Sequence, residues 1–188
     1  MEITIKNILE DTIKAFDNIT HISGIIKRKY IRILIKTPTL KYQIKIRNPN
    51  QKKINLIENI LNMPLINSNK TNEKNNNQNY YNNILEFIPE DIYINFFNKY
   101  RNSFSTIVNI SCNYNQLIFD DIIINAESLK FSYPSIVYIE YLKLFKIFSL
   151  FQNNRTKIYL NSNNSNLFKF KHYYDKDVVL IYEHSYDN

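Results

Sequence analysis

The sequence repeats one pattern three times: a helix-length apolar run followed by three strand-length runs. The three copies begin near Lys6, Pro89 and Pro134. A unit that recurs within one chain predicts a fold built from equivalent supersecondary pieces, each of which buries its apolar face against its neighbours. The pattern therefore predicts an α+β protein of helix-plus-strands units, with antiparallel sheets and the helices on one face of them.

The first copy covers residues 2–48. Its helix places apolar residues on one side at helical spacing: Ile5, Ile8, Leu9, Ile13 and Phe16. Strand-length runs follow at residues 20–28, 30–37 and 41–47. The last run alternates apolar and polar residues, which is typical of a strand with one buried and one solvated face.

Residues 51–66 hold a short apolar segment, and residues 67–83 form a polar, asparagine-rich tract. Such a tract buries too little apolar surface to order itself, so we expect a linker or a long exposed loop. The sequence thus predicts an N-terminal partial domain over residues 1–66, a linker over 67–83, and a C-terminal domain over 84–188.

The second and third copies lie within residues 84–188. Pro89 suits a first helical position, with Glu90 and Asp91 in the first turn. Ser135 is placed to cap a third helix over about residues 136–151. We predict strands in this half of the chain at residues 84–88, 105–112, 116–119, 122–125, 128–133, 155–161, 167–172 and 178–182. The last of these is apolar throughout and predicts a fully buried strand.

The formal net charge is +7 and the pI is about 9.3. This balance suggests an anionic partner such as nucleic acid. Abundant Asn, Lys, Ile and Tyr are also what a gene with A/T-rich codons encodes, so the charge by itself leaves both explanations open.

Several classes of protein are disfavoured by composition. Gly24 is the one glycine of the chain, and a phosphate-cradling loop needs several. With Cys112 as the one cysteine, no internal disulfide forms, and a reducing compartment is expected. There is no apolar stretch of about 18 residues, so we expect no membrane span. The chain's first residues lack the layout of a secretory signal.

An enzyme is the least favoured class. His21, His172 and His184 lie far apart in sequence and have no ligand-like spacing to one another or to Cys112. Two carboxylate pairs fall at predicted hairpin turns, where Asp is favoured for backbone reasons: Asp120 with Asp121, and Asp175 with Asp177. We expect no catalytic residues, no metal site and no cofactor.

Four runs of residues resemble the sliding-clamp family, the rings typified by proliferating cell nuclear antigen and the checkpoint clamps. YLKLFK at residues 141–146 looks like a clamp helix, and TKIYL at 156–160 like the strand after it. FIPEDI at 87–92 and VNISC at 108–112 look like the start of the second-domain helix and the strand that follows. The closing run at 179–182 stands where the family has its last strand, near the subunit edge. A family member has four such units in two domains, so a chain of three needs a partner, or a shortened interface, to close a ring.

The resemblance implies a non-enzymatic, sequence-independent DNA clamp whose helices present Lys and Arg to the DNA backbone. The implied contacts are Lys6, Lys14, Lys99, Arg101, Lys143 and Lys146. For any one of them, an ordinary solvated helix residue is the alternative. The implied partners are double-stranded DNA, a polymerase or other replication or repair proteins, and further subunits in a homo- or hetero-oligomer. The implied location is the nucleus, or a viral factory in the cytoplasm.

Two other functions stay open. One is a protein–protein scaffold, or a viral transcription factor, that keeps the clamp fold without encircling DNA. The other is an unrelated α+β enzyme, for which a deep pocket that gathers Asp120, Asp121 and a histidine is the expected sign.

Overall fold

The computed structural model describes residues 2–38, 40–68, 81–92, 96–98, 107–151, 155–174 and 176–184. The helices are α1 (Glu2–Ala15), α2 (Gln51–Leu61), α3 (Pro89–Ile92) and α4 (Tyr141–Phe151). The strands before α3 are β1 (His21–Lys27), β2 (Tyr30–Thr37), β3 (Leu40–Arg47), β4 (Ile66–Asn67) and β5 (Asn83–Phe87). Those after α3 are β6 (Ile107–Asn113), β7 (Gln116–Phe119), β8 (Ile122–Asn125), β9 (Glu127–Lys130), β10 (Ser135–Glu140), β11 (Thr156–Leu160), β12 (Phe168–Tyr173) and β13 (Val178–His184).

These strands form two sheets. A nine-stranded sheet has the order β4-β1-β2-β3-β13-β12-β11-β5-β9, and a four-stranded sheet has the order β10-β6-β7-β8. The short β1–β4 pairing is parallel, and the other described pairings are antiparallel. The α+β class and the antiparallel sheets are therefore as the sequence predicts.

The C-terminal half is built from two units that exchange their first strands. One unit is β5-α3-β6-β7-β8, and the other is β10-α4-β11-β12-β13. Strand β5 pairs with β11 of the other unit, and β10 pairs with β6 of the first. The repeated unit is thus strand, helix and three strands, one strand longer than the pattern seen in the sequence. The described N-terminal unit begins directly with its helix, α1.

The N-terminal unit joins the end of the chain through β3. Strand β3 pairs with β13 from Lys41–Glu183 to Ile46–Val178, in antiparallel register. All seven residues of β13 are buried, which confirms the prediction of a fully buried last strand. The expectation from the resemblance that this strand lies near the subunit edge is wrong for this chain, because β3 covers one side of β13 and β12 covers the other.

The turn before β13 reinforces this junction. Lys53, at the start of α2, is buried and places its Nζ 3.3 Å from Asp177 Oδ2. Its Nζ also donates to the carbonyl oxygens of Arg47 and Asn48. A buried ammonium needs such a set of acceptors to offset its lost hydration, so these bonds fix the end of β3 against the β12–β13 turn.

One contiguous core lies between the sheets and the helices. Phe148 of α4 is its centre and holds its ring within about 6 Å of the rings of Phe87, Phe119 and Phe170, which come from three strands in the two sheets. At the other end, the Phe16 ring, just after α1, lies 5.1 Å from that of Tyr42 on β3. Helices α1 and α4 therefore pack on the same, inner face of the nine-stranded sheet.

One prediction for an individual element is wrong, and one segment without a predicted element contains a helix. Residues 135–140, predicted as a helix cap and the start of a helix, form β10, and the helix begins at Tyr141. Val137 and Ile139 are buried while Ile136 and Tyr138 are exposed, so the strand alternation is hidden because both faces carry apolar residues. The apolar segment at 51–66 contains a helix, α2, which Asn50 caps by accepting from the Lys53 amide.

Asparagine takes the turn positions that glycine often occupies. Asn18, Asn48 and Asn62 have φ of 57°, 51° and 51°, and asparagine tolerates this left-handed region better than most residues. Gly24 has a different role. It lies on the inner face of β1, where an added Cβ would overlap the Leu65 side chain.

We expect Phe148→Ala to destabilise the protein by about 3–5 kcal/mol, because it removes the ring that joins the two sheets. Urea denaturation followed by circular dichroism measures the loss. Leu142→Ala on the same helix, where the side chain is 68% exposed, changes stability by less than about 0.5 kcal/mol. Equal effects of the two substitutions would contradict this description of the core.

Candidate nucleic-acid interface

Four of the six cations predicted from the resemblance lie on the helix side of the nine-stranded sheet. Lys6 and Lys14 border a groove of about 500 Å³ between α1 and α2. Lys143 and Lys146 lie on α4, which contacts α1. Lys99 and Arg101 lie outside the described residues. The structure thus brings the lysines of α1 and α4 to one side of the molecule.

Three of these four lysines have carboxylate partners. Lys6 Nζ is 3.8 Å from Glu10 Oε1, and Lys143 Nζ is 2.7 Å from Glu140 Oε1. Lys146 Nζ reaches across to Asp17, just after α1, at 2.7 Å. The helix side therefore carries acids and bases in near balance. Whether its lysines contact DNA stays a prediction.

The opposite face of the nine-stranded sheet is strongly basic, which the sequence did not reveal. Along β2, β3, β13, β12, β11 and β5, one set of alternating residues is buried against the core and the other points outward. The outward cations are Arg32, Lys36, Lys41, Lys45, Arg47, Lys157, Lys169 and Lys171. The same six strands carry two carboxylates, Glu86 and Glu183. We call this surface the basic face.

Several cations of the basic face are direct cross-strand partners of other cations. Lys36 pairs with Lys41, and Arg32 pairs with Lys45, between β2 and β3. Lys157 pairs with Lys171 between β11 and β12. Like charges directly opposite in a sheet are destabilising, and opposite charges are the stabilising arrangement. The basic face thus holds positive charge at a cost in folding stability.

The stems of these lysines cover the outward side of β13. Ile181 lies between Gln43 and Lys171, and Val179 lies between Lys45 and Tyr173. Both are buried, because a lysine lays its methylene chain along apolar surface and keeps its ammonium at the solvent. The basic face is therefore apolar beneath and charged at its surface.

Lys169, a half-buried cation of the basic face, has a lowered pKa. Its Nζ lies 4.7 Å from the ring centroids of both Tyr81 and Tyr159. Burial lowers the pKa of Lys169, and the positive charges of Lys171, Lys45 and Lys41 lower it further, while Glu183 acts in the opposite sense. Burial also raises the pKa of Tyr159 to about 12, so this ring faces the ammonium as a neutral phenol.

The sequence shows which residues of a single strand share a solvated face, which is one part of this surface. The alternation of β3 placed Lys41, Lys45 and Arg47 on one solvated face, and β12 shows the same alternation with Lys169 and Lys171. What the sequence could not show is that β3 and β12 flank the same strand, β13. The charges of distant segments meet only through that long-range pairing.

The remaining chemically reactive residues have structural partners. Cys112 and His172 are buried in the core. His172 Nδ1 lies 2.9 Å from Thr156 Oγ1. Asp120 is in the left-handed region in the β7–β8 turn and accepts from the Asn109 amide at 2.9 Å. Within the described ranges, no three His, Cys, Asp or Glu side chains are grouped as a metal site would require. No described helix has the length and apolarity needed to cross a membrane.

Solved structures resemble this chain over nearly all of its length. The DNA polymerase III beta subunit of Thermotoga maritima matches with a TM-score of 0.62 and 7% sequence identity, over 98% of this chain and 64% of that one. The protein has the sliding-clamp fold. The DNA polymerase III subunit beta DnaN sliding clamp of Bartonella birtlesii matches with a TM-score of 0.60 and 10% identity, over 97% and 64%. This clamp-fold chain thus spans 64% of the length of each of these clamps. No protein-family model and no curated protein matches the sequence.

Burial of His172 within the clamp fold makes stability depend on pH. Burial lowers the pKa of His172 from 6.5 to about 4. Between these values the unfolded chain binds more protons than the folded one, so stability falls as the pH drops from 6.5 to 4, by about 3 kcal/mol. Urea denaturation at a series of pH values measures this slope. We expect His172→Gln to reduce it, with buried His184, whose pKa burial also lowers, contributing to the remainder. We expect His21→Gln, at an exposed position, to leave it unchanged. The same slope in both variants would contradict the assignment.

Proposed function

We propose that this chain is a non-enzymatic, DNA-associated protein that uses the sliding-clamp fold to hold partner proteins at DNA. The observation that carries the proposal is the adjacency of α1 and α4, both of which bring lysines to one side of the nine-stranded sheet. The likeness to DNA polymerase III beta subunits supports it.

The proposed contacts are those predicted from the sequence: Lys6, Lys14, Lys99, Arg101, Lys143 and Lys146. Lysines that meet phosphates bind without regard to base sequence and release counterions from the DNA. The carboxylates near them compete for the same ammonium groups. Exposed ion pairs of this kind contribute at most about 1 kcal/mol, so phosphates can replace them.

We expect Asp17→Asn to strengthen duplex DNA binding, because it frees Lys146, whose Nζ now lies 2.7 Å from Asp17 Oδ2. One further phosphate contact steepens the dependence of log K on log salt by about 0.9. Fluorescence anisotropy with a labelled duplex, at 25 to 200 mM salt, measures both quantities. Asp121→Asn in the β7–β8 turn makes the same change in net charge and is the matched control.

Two results of this titration count against the proposal. Equal effects of Asp17→Asn and Asp121→Asn would show that net charge, and not the helix side, controls binding. An absence of duplex binding even at low salt would exclude DNA association and leave the scaffold function.

The four-stranded sheet favours a second function, self-association as a protein scaffold. Its outer face exposes Ile107, Ile123, Ile136 and Tyr138, and exposed apolar residues grouped in this way typically mark a protein contact. Among the described residues, β8 has β7 on one side and no strand on the other. A second copy offers the same strand by two-fold symmetry, which gives a self-complementary contact.

If β8 joins two copies, the molar mass measured by light scattering should double as concentration rises. Ile123→Lys then keeps the protein monomeric at the same concentrations, because a charge at a strand edge opposes edge-to-edge pairing. Ile66→Lys, at the exposed strand β4 of the other sheet, should leave the association intact. A mass of one chain at all concentrations would exclude this contact.

A further inference from the structure

We propose that the basic face binds the phosphate backbone of duplex DNA, on the side of the nine-stranded sheet opposite the helices. This inference goes beyond the proposed function, which places DNA against α1 and α4. The contacts come from the outward cations of β2, β3, β12 and β11, with Lys36, Lys45 and Lys171 as the principal ones.

The excess of positive charge is the first argument. On the helix side, Lys6, Lys143 and Lys146 each lie near a carboxylate. The six described strands of the basic face carry eight outward cations and two carboxylates, with Glu183 near Lys41 and Glu86 near Lys157. A polyanion is therefore attracted more strongly to the basic face than to the helix side.

The cross-strand pairing of like charges is the second argument. The pairs Lys36–Lys41, Arg32–Lys45 and Lys157–Lys171 each place two like charges directly opposite, an arrangement that opposes sheet stability, with Glu183 near Lys41 and Glu86 near Lys157. A phosphate between two such cations converts the repulsion into two attractions. Burial is the main cause of the lowered pKa of Lys169; Glu183 opposes it, and Lys171, Lys45 and Lys41 lower the pKa further, so an anion bound beside these lysines would relieve part of their repulsion.

The spacing of the cations fits a duplex. Neighbouring strands lie about 4.8 Å apart, so the cations from β2 to β11 extend over about 19 Å across the sheet. Alternate residues along one strand, such as Lys169 and Lys171, are about 6.8 Å apart. A surface of this width spans a minor groove of about 6 Å and reaches the backbone on each side of it.

Other occupants fit this surface less well. A protein interface has an apolar core, whereas at the centre of this face the outward Val179 and Ile181 are buried between their cross-strand neighbours, and Leu34 and Ile84 toward its two sides are half-buried. Proteins that bind single strands offer open aromatic rings to the bases. Here Tyr81 and Tyr159 are almost fully buried with Lys169 over them, and lysines also lie over the half-buried rings of Tyr30 and Tyr173. A lipid surface would favour exposed apolar anchors among the cations, and the strongly exposed Ile66 and Leu129 of this sheet lie on its two edge strands, β4 and β9, outside the basic face.

The first test is a salt titration of duplex binding with the triple variant Lys36→Gln, Lys45→Gln and Lys171→Gln. We expect the slope of log K on log salt to fall by up to about 2.7, that is about 0.9 for each lost contact. The melting temperature should stay the same or rise, because each substitution removes one member of a like-charge pair. The triple variant Lys6→Gln, Lys14→Gln and Lys52→Gln makes the same change in charge on the helix side.

The two triple variants separate this inference from the proposed function. If the slope becomes smaller in the sheet variant alone, the basic face is supported as the DNA-binding surface and the proposed contacts on α1 and α4 are excluded. A smaller slope for the helix variant alone overturns the basic face and leaves the proposed function standing. Binding of phosphatidylserine vesicles, or of a single strand of the same sequence, more tightly than the duplex would also overturn the inference.

Lysine acetylation of the unmodified protein is the second test and does not depend on any variant folding. Mass spectrometry compares the reactivity of each lysine with and without saturating duplex. We expect protection of Lys36, Lys45 and Lys171, with Lys29 in the exposed β1–β2 turn unchanged. Protection confined to lysines on α1 and α4 would overturn the inference.

Discussion

The antiparallel pairing of β3 with β13 is the interaction on which the rest of the structure depends. It joins residues 40–47 to residues 178–184, and every residue of β13 is buried as a result of having a neighbour on each side. Closing a loop of this length is entropically costly. The buried contacts of Lys53 with Asp177 and with the end of β3 help to offset that cost.

The same pairing determines both charged surfaces. On the inner face it brings α1 beside α4, so that Asp17 reaches Lys146. On the outer face it places the lysines of β3 and β12 on either side of β13. Without this strand pair the basic residues of the two halves would be separate solvated stripes, each too narrow to follow a duplex backbone. One backbone interaction therefore produces both a near-neutral helix side and a strongly basic sheet side.

Local patterns in the sequence predicted much of the fold. The alternation in β2 and β3 and the short apolar runs of β7 and β8 gave those strands almost to the residue. Strand β10 was mistaken for helix because its exposed positions, Ile136 and Tyr138, are apolar as well. Periodicity fails where both faces of a strand are apolar, since the alternation that marks a strand is then absent.

The basic face could not be predicted, because no local pattern specifies which strands become neighbours. Lys41 and Lys169 are far apart in sequence, and only the order β3-β13-β12 brings them to either side of Glu183. The candidate helix contacts were easier to find, since the helices were recognisable one at a time. The pairing of Lys146 with Asp17 was not, because an ion pair between α4 and the end of α1 requires the tertiary arrangement.

The unit structure also limits how the chain can assemble. Each unit ends in a third strand, which is β3, β8 or β13, and β3 and β13 pair with each other inside one chain. A head-to-tail ring needs two different complementary surfaces on every subunit. Among the described strands, this internal pairing leaves β8 as the one third strand with an open side. A contact through third strands alone would therefore join two copies about a two-fold axis, whereas a head-to-tail contact would have to use the other open edges of the described sheets, β4, β9 or β10.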